Sequence, residues 1–221
     1  MLNLWMIALL SYLVGSFPTS LLMGRIFRQG LDIRDHGSGN MGATNSFRIF
    51  GWRLGLTVAF IDIFKGFAVV HWIAPLAVFE NSYPGNVLFI MATLAVVLGH
   101  IFPVFSGFRG GKGFGAAVGA VISYFPLAAP FCLLIFFITL GFTGYVSICA
   151  LAASAALPFL YALITGLQGN MIDPTILTFF ILIFLVVAIS VRKRVKLYLN
   201  GEVEIFKAAR IFRPGGGRDG E

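Results

Sequence analysis

An all-α, polytopic integral membrane protein of about seven transmembrane helices, with its N-terminus outside and its C-terminus cytoplasmic, is the fold class this sequence predicts. Three observations carry it. Of 221 residues, 58% are hydrophobic and only 11% charged, and the mean hydropathy is +0.92, too little polar surface for a water-soluble globule. Apolar runs recur near the length, about 20 residues, at which a helix crosses roughly 30 Å of hydrocarbon. The lysines and arginines gather at 25–53, at Arg109 and Lys112, and at 192–218, which one orientation of the chain puts on a single face.

The first segment, 3–24, has no basic residue before Arg25, so it lacks the charged opening of a secretory signal and reads as a retained helix. Segments 54–79 and 86–106 follow. Between Gly113 and Gly141 there is no charge, but "YFPLAAP" sets Pro126 and Pro130 where they disfavour one continuous helix. Taken as one span, this stretch would leave a large basic group outside. Taken as two, 113–125 and 127–142, it puts every loop and tail lysine and arginine in the cytoplasm. Both are short, about 20–24 Å at 1.5 Å per residue, so they read as a pair that thins the bilayer or stops short of spanning it. Segments 145–167 and 174–191 complete the set, and the exterior keeps "ENSYPGN" and "QGNMIDP", each with an acid and no base. The reading is one transmembrane domain, 1–199, and a basic, glycine-rich tail, 200–221, that is disordered or lies on the membrane surface.

The net charge of +7 carries no nucleic-acid motif with it and is read as a face turned to anionic headgroups, with no nucleic-acid partner. Cys132 and Cys149 lie in apolar segments without metal-ligand spacing, so they read as packing residues; no metal and no cofactor are expected. The 24 phenylalanines are spread through the helices as lipid-facing and core side chains.

In this topology three polar islands share the cytoplasmic face: "GSGNMGATNSFR" after the first segment, "GFRGGKG" after the third and "TGYVS" after the fifth. Irregular backbone near membrane depth is tolerated where it lines a polar cavity, so a common siding suggests one site. Gly37, Gly39 and Gly42 spell G-x-G-x-x-G, but no βαβ unit can surround them, and "GGKG" fails as a P-loop because Gly113 replaces the Ser/Thr. Glycine turns do let successive N–H groups face an oxyanion, and Ser38, Asn40, Thr44 and Asn45 add donors. Arg48 gives a planar bidentate cation and Lys112 a mobile one, which together describe a phosphate pocket. The bland alternative is a pair of flexible loops facing headgroups. Asp62 and Lys65 lie three apart inside an apolar helix, as packing glue or as substrate contacts, and His100 reads as a hydrogen-bonded structural group before a general base.

These residues resemble the bacterial acyl-phosphate:glycerol-3-phosphate acyltransferase family. Tyr12, Leu13, Gly15, Ser16 and Pro18 resemble its "YLxGSxP"; Gly37–Asn45 match "GSGNxGATN", followed by Arg48; Asp62, Lys65 and Gly66 match "DxxKG". Gly99, His100, Pro103, Phe105, Phe108, Gly110, Gly111, Lys112 and Gly113 match "GHxxPxFxxFKGGKG", with Arg109 where lysine is usual, and Tyr145, Val146 and Ser147 resemble the core of "[KR]YVSxxS".

The resemblance implies a seven-helix, multi-pass enzyme of the bacterial inner membrane, acting as a monomer among membrane lipids with a cytoplasmic active site. It would transfer a fatty acyl group from acyl phosphate to glycerol 3-phosphate, giving lysophosphatidic acid. The His/Asp pair five apart used by other glycerolipid acyltransferases is absent, since Met41, Leu76 and Phe105 stand five after His36, His71 and His100. The resemblance therefore implies substrate-assisted catalysis supported by Ser38, Arg48 and Lys112. It implies substrate contacts from Gly37, Ser38, Gly39, Asn40, Thr44, Asn45, Arg48, Gly110, Gly111, Lys112, Gly113 and Ser147, with Asp62, Lys65, His100 and Tyr145 in support. In the family's "HRxNIxRLLxGxE", this chain has "VRKRVKLYLNGEVE": Val191 replaces the histidine and Arg194 the asparagine, and Gly144 replaces the basic residue of the third motif. Arg192, Lys193 or Arg194 would restore the phosphate contact from a neighbouring position. The changes leave open acylation of another polyol phosphate, or binding of lipid phosphate without turnover. An anion transporter fits less well, because no repeat is detectable and the polar motifs lie at one face.

Overall fold

A computed structural model of the chain describes residues 4–76 and 84–202. Among them are nine α-helices and no strand: α1 (Leu4–Gly15), α2 (Thr19–Phe27), α3 (Ala43–Phe50), α4 (Trp52–Ala68), α5 (Gly85–Ile101), α6 (Phe114–Tyr124), α7 (Ala129–Thr143), α8 (Val146–Leu167) and α9 (Pro174–Leu199). The chain divides into two compact units, Met1–Pro126 and Leu127–Glu221.

Six stretches are long and apolar enough to cross a membrane: Leu4–Phe27, Trp52–Leu76, Gly85–Ser106, Pro126–Thr143, Val146–Leu167 and Pro174–Leu199. The seventh expected segment is α6, an apolar helix of only 11 residues, about 17 Å long at 1.5 Å per residue. Large apolar side chains such as Phe60, Phe137, Phe159 and Val186 are more than half exposed, as on helices whose outer surface is solvated by lipid.

In the first unit α4 packs on α6 and α1 on α5. Both contacts rest on small residues. A Cβ on Gly66 would overlap the Ala116 carbonyl, and one on Gly119 would overlap that of Ile63; Gly15 and Gly99 meet Val96 and Tyr12 in the same way. The glycines of "YLxGSxP", "DxxKG" and "GHxxP" are thus the places where helix backbones touch. The Phe89 and Tyr124 rings stack at 3.8 Å between centroids and join α5 to α6.

Three boundaries differ from the sequence reading. The first segment breaks at Ser16–Pro18 and resumes as α2, because Pro18 has no N–H to continue the α1 ladder and the following Thr19 turns inward. The second half of "GSGNMGATNSFR" is helix, not loop: after Gly42 the run Ala43–Phe50 contains no glycine or proline to stop it. The last segment continues through the basic "RKRVKLYL" to Leu199 rather than ending at 191, since lysine, arginine and leucine are good helix formers whatever their solvent. Most of the "ENSYPGN" loop and residues 203–221 of the tail lie outside the described residues.

In the second unit α8 packs on both α7 and α9. Asp173 caps α9 by accepting from Thr175 N at 2.8 Å, and Tyr161 Oη accepts from Asp173 N at 3.2 Å, fixing the α8–α9 turn. Cys132 and Cys149 are free thiols in α7 and α8.

Candidate active site

The site in the first unit is assembled from the bottom of a buried polar cluster upward. Asp62 and Lys65 project from α4 with Lys65 Nζ 2.9 Å from Asp62 Oδ1, both almost fully buried. Thr19 Oγ1 donates to the same carboxylate oxygen at 3.0 Å, and Lys65 Nζ donates at 3.2 Å to the Phe17 carbonyl, which lies where α1 breaks before α2 and also accepts from Thr19 N at 3.0 Å. His100, at the end of α5, brings Nδ1 to 3.7 Å of Asp62 Oδ1; that nitrogen has no hydrogen-bond partner among the described residues. The space between them is a cavity of ≈ 10 Å³, roofed by Met41 and Gly111. The pair, almost fully buried, thus links α4 to α2 and to the break after α1 beneath the two glycine loops.

The first loop turns out of α2 through Gln29 and Gly30, both at positive φ. Asp32 then caps a 3-10 turn, Ile33–Asp35, accepting from Arg34 N at 2.9 Å. Gly37 and Gly39 adopt left-handed φ of 60° and 66°, which a side chain would strain. Asn45, 3% exposed, holds the loop from inside: its Oδ1 accepts from Ser38 N at 3.0 Å and its Nδ2 donates to His36 O at 3.0 Å. Asn40 Oδ1 accepts from Gly42 N at 2.9 Å, a turn that delivers the chain into α3. Ser20 Oγ donates to Met41 O and lies 3.0 Å from Ser46 Oγ, pinning the loop to α2.

No side chain caps α3 at Gly42. The positive end of its dipole and its first N–H groups are thus turned to the side where Ser38 stands exposed and Thr44 half-buried. Arg48 is exposed in the last turn of α3, one end of the same short helix.

The second loop leaves α5 through a 3-10 turn, Val104–Ser106, and passes Gly107 and Phe108 at positive φ. It then folds back onto the helix it came from, with Gly111 N donating to His100 O at 3.0 Å. A Cβ on Gly111 would overlap the His100 ring, and one on Gly110 the His100 carbonyl, so both positions are closed to side chains. Lys112 is exposed, and Gly113, at φ 75°, starts α6.

The two loops are joined by Arg34. Its Nε and Nη2 grip the Asp32 carboxylate, with Nη2–Oδ2 at 2.6 Å, while Nη1 donates to the Ser106 carbonyl at 2.9 Å. The hydrogen bonds from Arg34 hold the Asp32 carboxyl below its ordinary pKa, and Asp32 in turn raises that of the guanidinium. Beside this bridge lies an open pocket of ≈ 360 Å³ lined by Arg25, Arg34, Leu21, Leu22 and Phe105 among others.

Met41, Asp62, Lys65, His100 and Gly111 thus line one small space, and Arg34 joins the loop of Gly37–Gly42 to that of Gly110–Gly113, while Arg48 and Lys112 are exposed. Thr19, Ser20, Asp32, Arg34 and Ser106, which hold the site, were missed in the sequence reading. Only Asp32 and Arg34 carried a readable signal there, an Asp two residues before an Arg in a turn.

In the second unit Gly144 closes α7 in a left-handed conformation, φ 63°, with its N–H donating to Leu140 O at 2.7 Å. Tyr145 N donates to Thr143 Oγ1 at 3.2 Å, and the Tyr145 ring stacks on Tyr198 of α9 at 5.4 Å. Ser147, half-buried in the first turn of α8, is therefore near the basic end of α9, where Arg192 is exposed, Arg194 half-buried and Val191 buried.

A family model described as glycerol-3-phosphate acyltransferase matches residues 5–201. The chain is 41% identical over 170 residues to the glycerol-3-phosphate acyltransferase of Chlorobium phaeovibrioides, covering 74% of this chain and 71% of the relative. It is 42% identical over 171 residues to that of Chlorobium chlorochromatii, with the same shares. Among solved structures it is similar to PlsY, an integral membrane glycerol 3-phosphate acyltransferase. The glycerol 3-phosphate form aligns with a TM-score of 0.76 at 31% identity over 93% of this chain and 96% of that one. The lysophosphatidic acid form aligns with a TM-score of 0.75 at 30% identity over 94% and 97%.

Proposed function

Because the chain belongs to the glycerol-3-phosphate acyltransferase family, we propose that it transfers a fatty acyl group from acyl phosphate to the 1-hydroxyl of glycerol 3-phosphate, releasing lysophosphatidic acid and inorganic phosphate. The observation that carries this reading is the pairing of two glycine-rich loops, one with Ser38 and Arg48 and the other with Lys112, over a buried ion pair. Exposed cations on both loops and an uncapped helix start suit two phosphates, and the apolar helices suit an acyl chain. The forms in which PlsY was solved, with glycerol 3-phosphate and with lysophosphatidic acid, agree with that substrate and product.

In the reaction the glycerol hydroxyl oxygen attacks the acyl carbonyl, the acyl C–O bond to phosphate breaks, and the hydroxyl proton passes to a phosphate oxygen. No side-chain base is needed. Lys112 and Arg48 neutralise phosphate charge and hold the reactants in line, and Ser38 with the loop N–H groups steadies the developing oxyanion. Gly37, Gly39, Asn40, Thr44, Gly110, Gly111 and Gly113 shape the loop surface. Asn45, whose amide is spent on the loop, acts by shaping it. The enzyme works as a monomer in the bacterial inner membrane, with seven crossings and its site on the cytoplasmic side, where the basic residues gather.

The test is conversion of radiolabelled glycerol 3-phosphate to lysophosphatidate by purified protein given palmitoyl phosphate, palmitoyl-CoA or palmitoyl carrier protein. Turnover with palmitoyl phosphate alone is expected. Turnover only with another donor overturns the acyl-phosphate assignment. No turnover from folded protein favours a second reading, acylation of another polyol phosphate or phosphate binding without chemistry, which the Gly144 and Val191 replacements motivate.

A further inference from the structure

We propose that Arg34 is a positioning residue that sets the spacing of the two phosphate-facing loops, and that the reaction depends on its fork geometry rather than on its charge. The proposal rests on the acyltransferase reading for its kinetic consequences, but not for its geometry.

A guanidinium is planar and presents its donors in fixed directions, so two partners engaged at once fix each other's placement. Arg34 is in that situation. Its Nε lies 3.0 Å from Asp32 Oδ1 and its Nη2 2.6 Å from Asp32 Oδ2, which locks the plane of the group to the loop that carries Ser38 and α3. The remaining arm, Nη1, donates at 2.9 Å to the Ser106 carbonyl, 72 residues along the chain. Ser106, itself buried, relays the contact: its Oγ donates to the Arg109 carbonyl at 3.0 Å, one residue before Gly110. Two side chains, those of Arg34 and Ser106, therefore connect Asp32 to the residue before the GGKG turn.

Asp32 neutralises the guanidinium, and Arg34 is itself half-buried, so its charge is already committed within the protein. What it contributes to the site is distance. Two phosphates held by different loops react only if the acyl carbonyl and the glycerol hydroxyl are brought to near-attack separation, and a misplacement of about 1 Å can cost on the order of a hundred-fold. A lysine keeps the positive charge and can reach one of the two partners, but it has no fork with which to hold both.

The experiment compares Arg34→Lys, Asp32→Asn and the double variant with the parent protein. Arg34→Lys is expected to lower kcat/KM for glycerol 3-phosphate by on the order of ten- to a hundred-fold while the folded protein keeps its melting temperature to within a few degrees. Asp32→Asn, which frees the guanidinium plane, is expected to lose nearly as much, and the double variant no more than the worse single one. Hydrogen exchange, read without any substrate, is expected to quicken at residues 104–112 in Arg34→Lys while α5 is unchanged. Parent-like kinetics in Arg34→Lys, losses that multiply in the double variant, or unchanged exchange at 104–112 would overturn the proposal. A parent protein without turnover would sink the acyltransferase reading instead, and the exchange measurement would still decide the clamp.

Discussion

In the first unit the glycine loops are tied down by charge and amide. Arg34 spans from Asp32 to Ser106, Asn45 fastens the Ser38 turn from within, and Asp62 and Lys65 lie buried beneath. In the second unit the turn before Ser147 is held by a left-handed glycine, a threonine hydroxyl and a tyrosine stack. Of the replacements of the family pattern that this chain carries, Arg109 in the first region keeps its charge, whereas those at Gly144, Val191 and Arg194, in the second, change the chemistry of the position. The physical difference is what a substitution would strand. Removing one partner of a buried ion pair or a satisfied amide leaves the other unpaired in low dielectric, which costs several kcal/mol. In a turn held mainly by backbone conformation and ring stacking, losing a side chain strands at most the Tyr145 N–H that Thr143 Oγ1 accepts.

The largest expected effect that would break this contrast is at the loops themselves. Lys112→Ala and Arg48→Ala are expected to reduce turnover by at least about a hundred- to a thousand-fold, the size of losing one charge-stabilising group at a reacting centre, with folded protein still extracted. A labelled glycerol 3-phosphate assay reads it, and parent-like rates in either variant would remove these residues from the site.

Next comes the buried pair. Asp62→Ala is expected to destabilise the protein by about 3–5 kcal/mol, because Lys65 and Thr19 lose the carboxylate they both donate to. Thermal unfolding in detergent measures it. A change of under about 1 kcal/mol would put Asp62 on a par with an exposed ion pair and erase the distinction between the two regions.

A smaller effect sharpens the comparison from the other side. Gly144→Arg restores a basic residue to the turn at a left-handed φ of 63°, so it is expected to cost about 1 kcal/mol in stability. If the second region supplies phosphate contacts, the same variant lowers KM for glycerol 3-phosphate. Unchanged KM would confine phosphate recognition to the first unit.

The smallest effect is a pH dependence. Asp32 has its folded pKa depressed by the hydrogen bonds from Arg34, so its contribution to stability is fully present above the ordinary aspartate range. It is lost as pH falls below about 4 and through the folded value. In Asp32→Asn the acid limb of a stability–pH curve is expected to flatten slightly; an identical limb would mean that the clamp does not couple to folding.

Much of the site was legible as residue type: glycines that must turn, hydroxyls and amides that donate, and two cations in an apolar chain. Asp62, Lys65 and His100 were visible as costly polar groups in membrane helices, though spacing alone could not say whether they faced substrate or each other. The buried carboxylate shared by Thr19 and Lys65 answers that. Arg34 escaped notice because its one local mark, Asp32 two residues before it, says nothing of what it spans; its decisive partner is a backbone carbonyl at Ser106, and a carbonyl has no identity in a sequence. Asn45 was grouped with the phosphate donors for the same reason, since only the folded loop shows that its amide is already engaged.

By itself, then, the sequence determined the membrane class, the existence and approximate ends of the apolar helices, and the chemistry of the two glycine loops. These depend on composition, run length and residue type, which are local properties of the chain. Only the tertiary structure decided that α1 breaks to expose the carbonyl Lys65 binds, that half of the first loop is helix, and which polar groups hold the loops rather than face their surface. Those outcomes depend on which distant backbone atoms come within hydrogen-bond reach, and that is fixed by helix packing at Gly15, Gly66, Gly99 and Gly119.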